Sequence, residues 1–440
     1  MSQMTFSGPN KRTAITWLAC LVLTFSTACG VFQVGLEDLP QREIITPSAT
    51  PPPPTITAAP TRQPDFDSLE AGLNVRLTTI HMLDKITGWG IGQIEGKLGD
   101  YLLFTRDAGR TWYNRTPRAV FQAAMPEGTR ITAFFGPNGS AWALFTNPAP
   151  ETSLPTQAVI WRTTDFGYTW QAGAPLPVDG MMAEHFVPAH LGFLDDQYGW
   201  MMAHLGAGMS HDYIAVFITT DGGQTWQRIL DPEQTPNLMA CAKTGLWFTD
   251  PQTGWLSGDC PGLMPGLFLY STRDGGQTWQ AVNLPVPPNQ PADLFNGEKM
   301  GCGVPELIHY SPQRVLFPVR CLAYSDGKPS AWLYISQPDN TFSATALPLP
   351  YGSLHFINAQ EGWFVGSTSS DPTVSGEIYR TVDGGLSWTL ILATGWQGTP
   401  HFVDADIGWV IARAGEKVAF VYTMNGGLLW SEINPVTASE

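Results

Sequence analysis

Short apolar runs separated by polar, glycine-rich turns follow one another along this chain at a nearly constant spacing. The run Tyr213 to Ile218 leads into Thr219-Thr220-Asp221-Gly222-Gly223-Gln224-Thr225-Trp226, and the pattern T-x-D-x-G-x-T-W recurs around Asp107, Asp165, Asp274 and Asp383, with a weaker copy at Asn425. In such a turn the carboxylate accepts backbone N–H groups and glycine supplies positive φ, while Thr and Trp suit the returning strand. Roughly twenty residues earlier each unit carries Gly-Trp, at Gly88-Trp89, Gly199-Trp200, Gly254-Trp255, Gly362-Trp363 and Gly408-Trp409, with Ala141-Trp142 in the second slot. Runs such as Phe193-Leu194-Asp195, Phe248-Thr249-Asp250, Phe356-Ile357-Asn358 and Phe402-Val403-Asp404 close the strand before it. Each unit therefore predicts four short strands, and no long helical period competes with them.

One segment lacks both marks, yet Ile308 to Pro312, Val315 to Phe317 and Trp332 to Ile335 supply three strands in the same order, which makes seven units. Repeats of this length with four strands each predict an all-β, seven-bladed β-propeller of four-stranded Asp-box blades. An open solenoid is the alternative. A six-bladed ring with the fifth unit as an insertion fits the three aligned strands less well.

These residues resemble the BNR/Asp-box superfamily, also called bacterial neuraminidase repeats, over about residues 72 to 435. The pairing of Gly-Trp with D-G-G-x-T-W resembles the propellers related to photosystem II assembly and stability factors. The resemblance implies a propeller whose Asp, Asn and Trp residues hold turns and whose functional surface lies on the face opposite the boxes. It does not name a ligand, because the superfamily includes sialidases, other glycoside hydrolases, sorting receptors and non-catalytic assembly factors.

The N-terminus has a different composition. Lys11-Arg12 precede an apolar stretch from Thr13 to Ala28 that is short for a membrane span and ends in Ser26-Thr27-Ala28-Cys29. Residues 1–28 read as a signal peptide and Cys29 as the lipidation site of the lipoproteins this segment resembles, with Ser26 departing from the usual aliphatic residue. An uncleaved anchor or a simple signal peptide are the alternatives. Residues 29–69, rich in Pro and Thr, read as a disordered tether, and residues 70–440 as the propeller. The expected location is outside the cytoplasm, lipid-anchored on the outer side of the cytoplasmic membrane or in the cell envelope.

Export makes the cysteines interpretable as disulfides. Cys241 and Cys260, and Cys302 and Cys321, are each 19 positions apart and centred on Asp250-Pro251 and Ser311-Pro312. Residues equidistant from a hairpin turn face each other. The expected pairs are therefore Cys241 with Cys260 and Cys302 with Cys321, and zinc-type spacing is absent.

The long loops on the expected functional face are Asn147 to Gln157, Gly173 to His190, Ala203 to Asp212, Gly258 to Gly266 and Val282 to Gly301. Blade three concentrates Glu184, His185, His190, His204, His211 and Asp212, of which Glu184, His185, His204, His211 and Asp212 form the candidate ligand surface; Met201 and Met202 after the Gly-Trp read as core. No tight metal motif occurs, and neither a metal nor a cofactor is expected. A sialidase would need an Arg-Ile-Pro motif, but Arg130-Ile131-Thr132 lacks the Pro and the long loops hold no arginine. Another glycosidase would need only two carboxylates, for which Glu184, Asp212, Asp259, Asp293 and Glu298 are available and no catalytic pair is assigned. The whole chain carries a formal charge of −15; loss of the first 28 residues leaves 21 basic against 38 acidic residues, or −17. That balance excludes the electrostatic footprint of nucleic-acid binding and leaves membrane contact to the lipid anchor. The expected function is a non-catalytic binding or assembly module for an envelope protein or complex. A glycan-binding protein or glycoside hydrolase is the alternative.

Overall fold

The computed structural model describes residues 63–440 apart from 123–128, 147–157, 180–183, 260–266, 312–313 and 338–340. The expected signal peptide, the lipidation site Cys29, the tether up to residue 62 and Cys260 therefore lie outside the described residues.

Seven antiparallel sheets, each running in chain order from its first strand to its fourth, form a seven-bladed β-propeller. Their first strands are Val75–Met82, Arg130–Phe135, Val187–Phe193, Ala242–Phe248, Met300–Gly303, Tyr351–Phe356 and Gln397–Phe402. These meet their neighbours around the centre, while fourth strands such as Gln171–Pro175 are largely exposed at the rim. Because strands alternate in direction, the turn joining the first two strands shares a face with the Asp box. The turn joining the middle two strands shares the opposite face with the blade-to-blade connections. In blade five the first-strand position is split: Met300–Gly303 and Ile308–Ser311 both pair with Arg314–Ala323.

The two sequence marks work together across blade boundaries. The Gly-Trp indole of one blade stacks on the Phe that ends the first strand of the next, as in Trp142 on Phe193 at 4.0 Å and Trp363 on Phe402 at 3.8 Å between ring centroids. Trp89, Trp142, Trp200, Trp363 and Trp409 are almost wholly buried, so these contacts form the apolar seams between blades.

The Asp box supplies the polar half of the seam. Asp221 Oδ1 accepts the Thr225 N–H at 2.9 Å and the Thr219 hydroxyl at 2.8 Å, and Oδ2 accepts the Thr225 hydroxyl. Asp107, Asp165, Asp274 and Asp383 repeat this pattern, and Asn425 keeps the Oδ1 bonds. The next residue is then a node between blades. Gly222 donates its N–H to Gln197 within its own blade, and its carbonyl accepts Trp142 Nε1 from the preceding blade at 2.9 Å. Trp363 reaches Gly426 and Trp409 reaches Ala108 in the same way. The node has positive φ, which suits glycine at Gly222 and Gly426 but is imposed on Ala108 and Phe166.

Three indoles depart from this pattern, the first being Trp200, which donates to the Leu246 carbonyl instead. Trp255 faces blade five, which has no box, and Arg115 Nε rather than Trp89 takes the Phe166 carbonyl. Among the described residues neither Trp89 Nε1 nor Trp255 Nε1 has a partner. Trp363→Phe is accordingly expected to cost about 1 kcal/mol more than Trp255→Phe in denaturant unfolding, since only the first leaves a buried carbonyl unpaired. Equal losses would remove the indole from its role in the seam.

The ring closes in blade one. Val436–Thr437 pair in parallel with Thr111 and Trp112 of the fourth strand, and the Leu73 N–H donates to the Thr437 hydroxyl. The chain also joins the propeller earlier than the expected tether end at residue 69. Phe66 is buried against Tyr168 and the Arg115 guanidinium, while Asp65 bonds the backbone of Tyr168 and Trp170. Arg118 adds bonds to the Asp67 carboxylate and the Phe66 carbonyl, so this end is fixed by one aromatic side chain together with its polar neighbours. Cys302 and Cys321 face each other in register and are disulfide-bonded. Cys241 is also disulfide-bonded, and Ala242 beside it pairs with Asp259, next to the expected partner Cys260.

Candidate functional site

Among the described residues the face opposite the boxes is most developed in blade three, where Gly199–Gly208 and His211–Thr219 form a long hairpin. Its tip, Met209-Ser210, has positive φ at both residues, and Met209 is 96% exposed. Met201 and Met202 are fully buried core residues.

Of the sequence-predicted surface, the structure brings His204 and Asp212 together, with His204 Nδ1 2.8 Å from Asp212 Oδ1. Asp212 is largely buried, and its Oδ2 accepts the Lys243 N–H from blade four at 2.8 Å. Burial pushes the Asp212 carboxyl up, but His204 and Lys243 hold it below the usual range. Lys243 Nζ donates to the Ala240 and Cys241 carbonyls, and its burial lowers the amine to about 8 against the pull of Asp212. His190, held on the neighbouring strand opposite Met202, is lowered to about 4 by burial and by His204. Glu184, His185 and His211 stay exposed; His211 Nδ1 contacts the Met209 carbonyl and its ring stacks on Tyr213. The expected surface is thus two layers, an inter-blade polar core and an outer set of side chains. Among the described residues no group of His, Cys, Asp and Glu has metal-binding geometry.

Of the other carboxylates considered for hydrolysis, Glu298 is exposed and two are engaged in ion pairs. Asp259 pairs with Arg320 of blade five at 2.8 Å, and Asp293 pairs with Lys299 at 2.7 Å. Arg130, in the triplet weighed for a sialidase, lies 3.5 Å from Asp100 across the first seam.

Sequence reasoning missed Glu306. It lines a cavity of about 200 Å³ with Arg320, Tyr351 and Phe364, and burial raises its carboxyl to about 7, opposed by the Leu354 backbone. Its Oε1 is shielded from solvent and has no partner among the described residues. No sequence mark surrounds it, because it sits between the two short strands of the degenerate blade. A larger opening of about 610 Å³, lined by Thr78, Ser353, Thr399, His401 and Arg413, lies on the inner strands of blades six, seven and one. Histidines join these blades: His355 and His401 rings lie 4.8 Å apart, His81 and His401 rings 5.3 Å, and the Met82 N–H donates to His401 Nε2.

The BNR/Asp-box repeat family model matches residues 217–228, the third-blade box. No curated protein matches the chain in sequence. Among solved structures the chain is similar to YCF48 from Cyanidioschyzon merolae, at 16% identity over 82% of this chain and 99% of that one, with a TM-score of 0.47. It is similar to a GH74 enzyme from Niastella koreensis at 14% identity, over 85% of this chain but 55% of that one, with a TM-score of 0.50. An oligogalacturonate lyase in complex with manganese is 11% identical, over 82% of this chain and 97% of that one, with a TM-score of 0.54. At these identities the likeness is one of fold.

Proposed function

We propose that this chain is a non-catalytic binding or assembly module, held outside the cytoplasm by a lipid anchor at Cys29 and working through the face opposite the Asp boxes. The supporting observation is the engagement of Asp212 and Asp259 there. Asp212 ties blade three to blade four and Asp259 ties blade four to blade five. Carboxylates committed to seams build a rigid platform, on which Glu184, His185, Met209 and His211 of blade three are exposed. An envelope protein or protein complex is the partner that this reading favours.

The Glu306 cavity favours a second reading, glycan binding or hydrolysis. A carboxyl raised to about 7 resembles the general acids that hydrolases tune by burial. One fold relative is named as a GH74 enzyme and another as an oligogalacturonate lyase.

Photo-crosslinkers at Met209 and, as a control on the other face of the same blade, at Gln224 separate the readings in the native envelope. The expected result is one reproducible protein adduct from Met209 and none from Gln224. Polysaccharide cleavage that disappears in Glu306→Gln would overturn the non-catalytic reading. The mass of the N-terminal peptide tests the anchor separately.

A further inference from the structure

We propose that the Asp-box face of blades six and seven rests on a lipid bilayer, with its turn tips in the interfacial layer of a zwitterionic membrane. Every box has two solvent-facing positions, the residue before the Asp and the residue after the second glycine position. They are Arg106 and Arg110 in blade one, Thr220 and Gln224 in blade three, and Arg273 and Gln277 in blade four. Blade two has Thr164 and Tyr168, and Phe66 packs on the latter. At the same register blade six carries Val382 and Leu386, and blade seven carries Met424 and Leu428, followed by Leu429 where the other boxes have Thr or Ser. These five side chains are 67%, 67%, 67%, 56% and 72% exposed, respectively.

The fold does not require them. Asp383 and Asn425 make the same Oδ1 turn bonds as the boxes with polar tips. Blades six and seven are neighbours joined by Trp363 and Gly426, so the tips form one strip, and Ile86, 55% exposed in the first turn of blade one, lies on the same face.

Two features favour a bilayer over a protein as the occupant. The strip consists of aliphatic and methionine tips on projecting turns, without the Trp, Tyr or Arg that usually anchor protein interfaces. The chain also joins the propeller on this face, where Asp65 bonds the blade-two box. From Cys29 to Gln63 there are 34 positions, which at ~3.1 Å per residue in an extended proline-rich chain span no more than about 105 Å. A tether of that reach raises the local concentration of membrane, so a weak second apolar contact suffices. The acidic chain selects zwitterionic over anionic headgroups. The placement rests on the anchored reading above and turns the opposite face outward, toward its partner.

The test uses the chain from residue 29 with Cys29→Ser, tethered through an N-terminal histidine tag to phosphatidylcholine vesicles containing a chelator lipid, so that native acylation is not needed. An environment-sensitive fluorophore is placed on Leu386→Cys or Leu428→Cys, and on Gln224→Cys or Gln277→Cys as matched controls. The expected result is blue-shifted emission, quenched by nitroxide lipids, at 386 and 428 and unchanged emission at 224 and 277. In a Leu386→Gln/Leu428→Gln protein labelled at Leu429→Cys, the shift should be lost. Aqueous emission at 386 and 428 on tethered protein would overturn the proposal. A concentration-dependent shift without vesicles would also overturn it, assigning the strip to a second copy of the chain.

Discussion

Glu440→Gln is expected to lower the unfolding free energy by about 3 kcal/mol, measured by denaturant titration at neutral pH. Arg115 is fully buried between blades one and two, and Glu440 is the carboxylate that pairs with its Nη2. Burial lowers the guanidinium pKa and Glu440 raises it back in part. The other nitrogens are spent on Phe166 and Asn114 carbonyls, and the plane packs on Phe66 at 4.3 Å and Tyr168 at 4.6 Å. Removing one partner of a buried pair strands the other charge, a loss of about 3–5 kcal/mol. The low end applies because Glu440 is 21% exposed and also meets Arg106. The double variant Arg115→Met/Glu440→Gln should recover at least about 1 kcal/mol relative to Glu440→Gln, since no uncompensated charge remains. A single-variant loss under about 1 kcal/mol would mean that water, not Glu440, compensates Arg115.

Acidification is expected to weaken the fold in two stages. His190 in the folded chain takes its proton only near pH 4, while the unfolded chain takes it near the ordinary histidine value of 6.5. Between those values the unfolded state binds more protons, so stability rises with pH and falls as the solution is acidified. The window corresponds to about 3 kcal/mol. His401, lowered by burial, acts in the same direction. Asp383 is lowered to about 2, first by the Ser387 hydroxyl and then by the Ser387 N–H, and Asp221 and Asp274 are lowered as well. Their stabilisation is complete above the usual Asp range and disappears as pH falls toward 2. Unfolding midpoints at pH 7, 5 and 3 should therefore fall in both intervals. His190→Gln should reduce the fall between pH 7 and 5 and the part of the second interval above about pH 4, leaving the His401 share, and parallel wild-type and variant slopes between pH 7 and 5 would remove His190 as a source.

The fold was legible because its seams repeat. Gly-Trp, the closing Phe and the box are each one side of an inter-blade contact, and six copies in one register leave little freedom. The Cys302–Cys321 bond was legible for a related reason, because spacing around a turn sets which strand positions face each other. The candidate site was legible only as composition. His204 and Asp212 lie near in sequence and meet across one hairpin, but Lys243 joins them from the next blade and has no local mark. Glu306 was hidden because its burial depends on Tyr351 and Phe364 of another blade. Phe66 was hidden by the composition of its neighbours. The apolar tips of blades six and seven were visible in the alignment of the boxes, but the strip they form depends on the adjacency of the two blades through Trp363 and Gly426, which no single box carries.

Closure at Val436–Thr437 also sets the order in which the molecule can be completed. Blade one is the first to leave the ribosome, yet its outermost strand waits for a partner more than 300 residues downstream (Thr111 to Val436). Until that partner arrives, Thr111–Asn114 is a bare sheet edge, the kind of surface that recruits strands from other molecules. A chain cleaved before residue 436 is therefore expected to leave blade one with the same open fourth strand as the other blades, and to lose the hydrogen bond from the Leu73 N–H to the Thr437 hydroxyl.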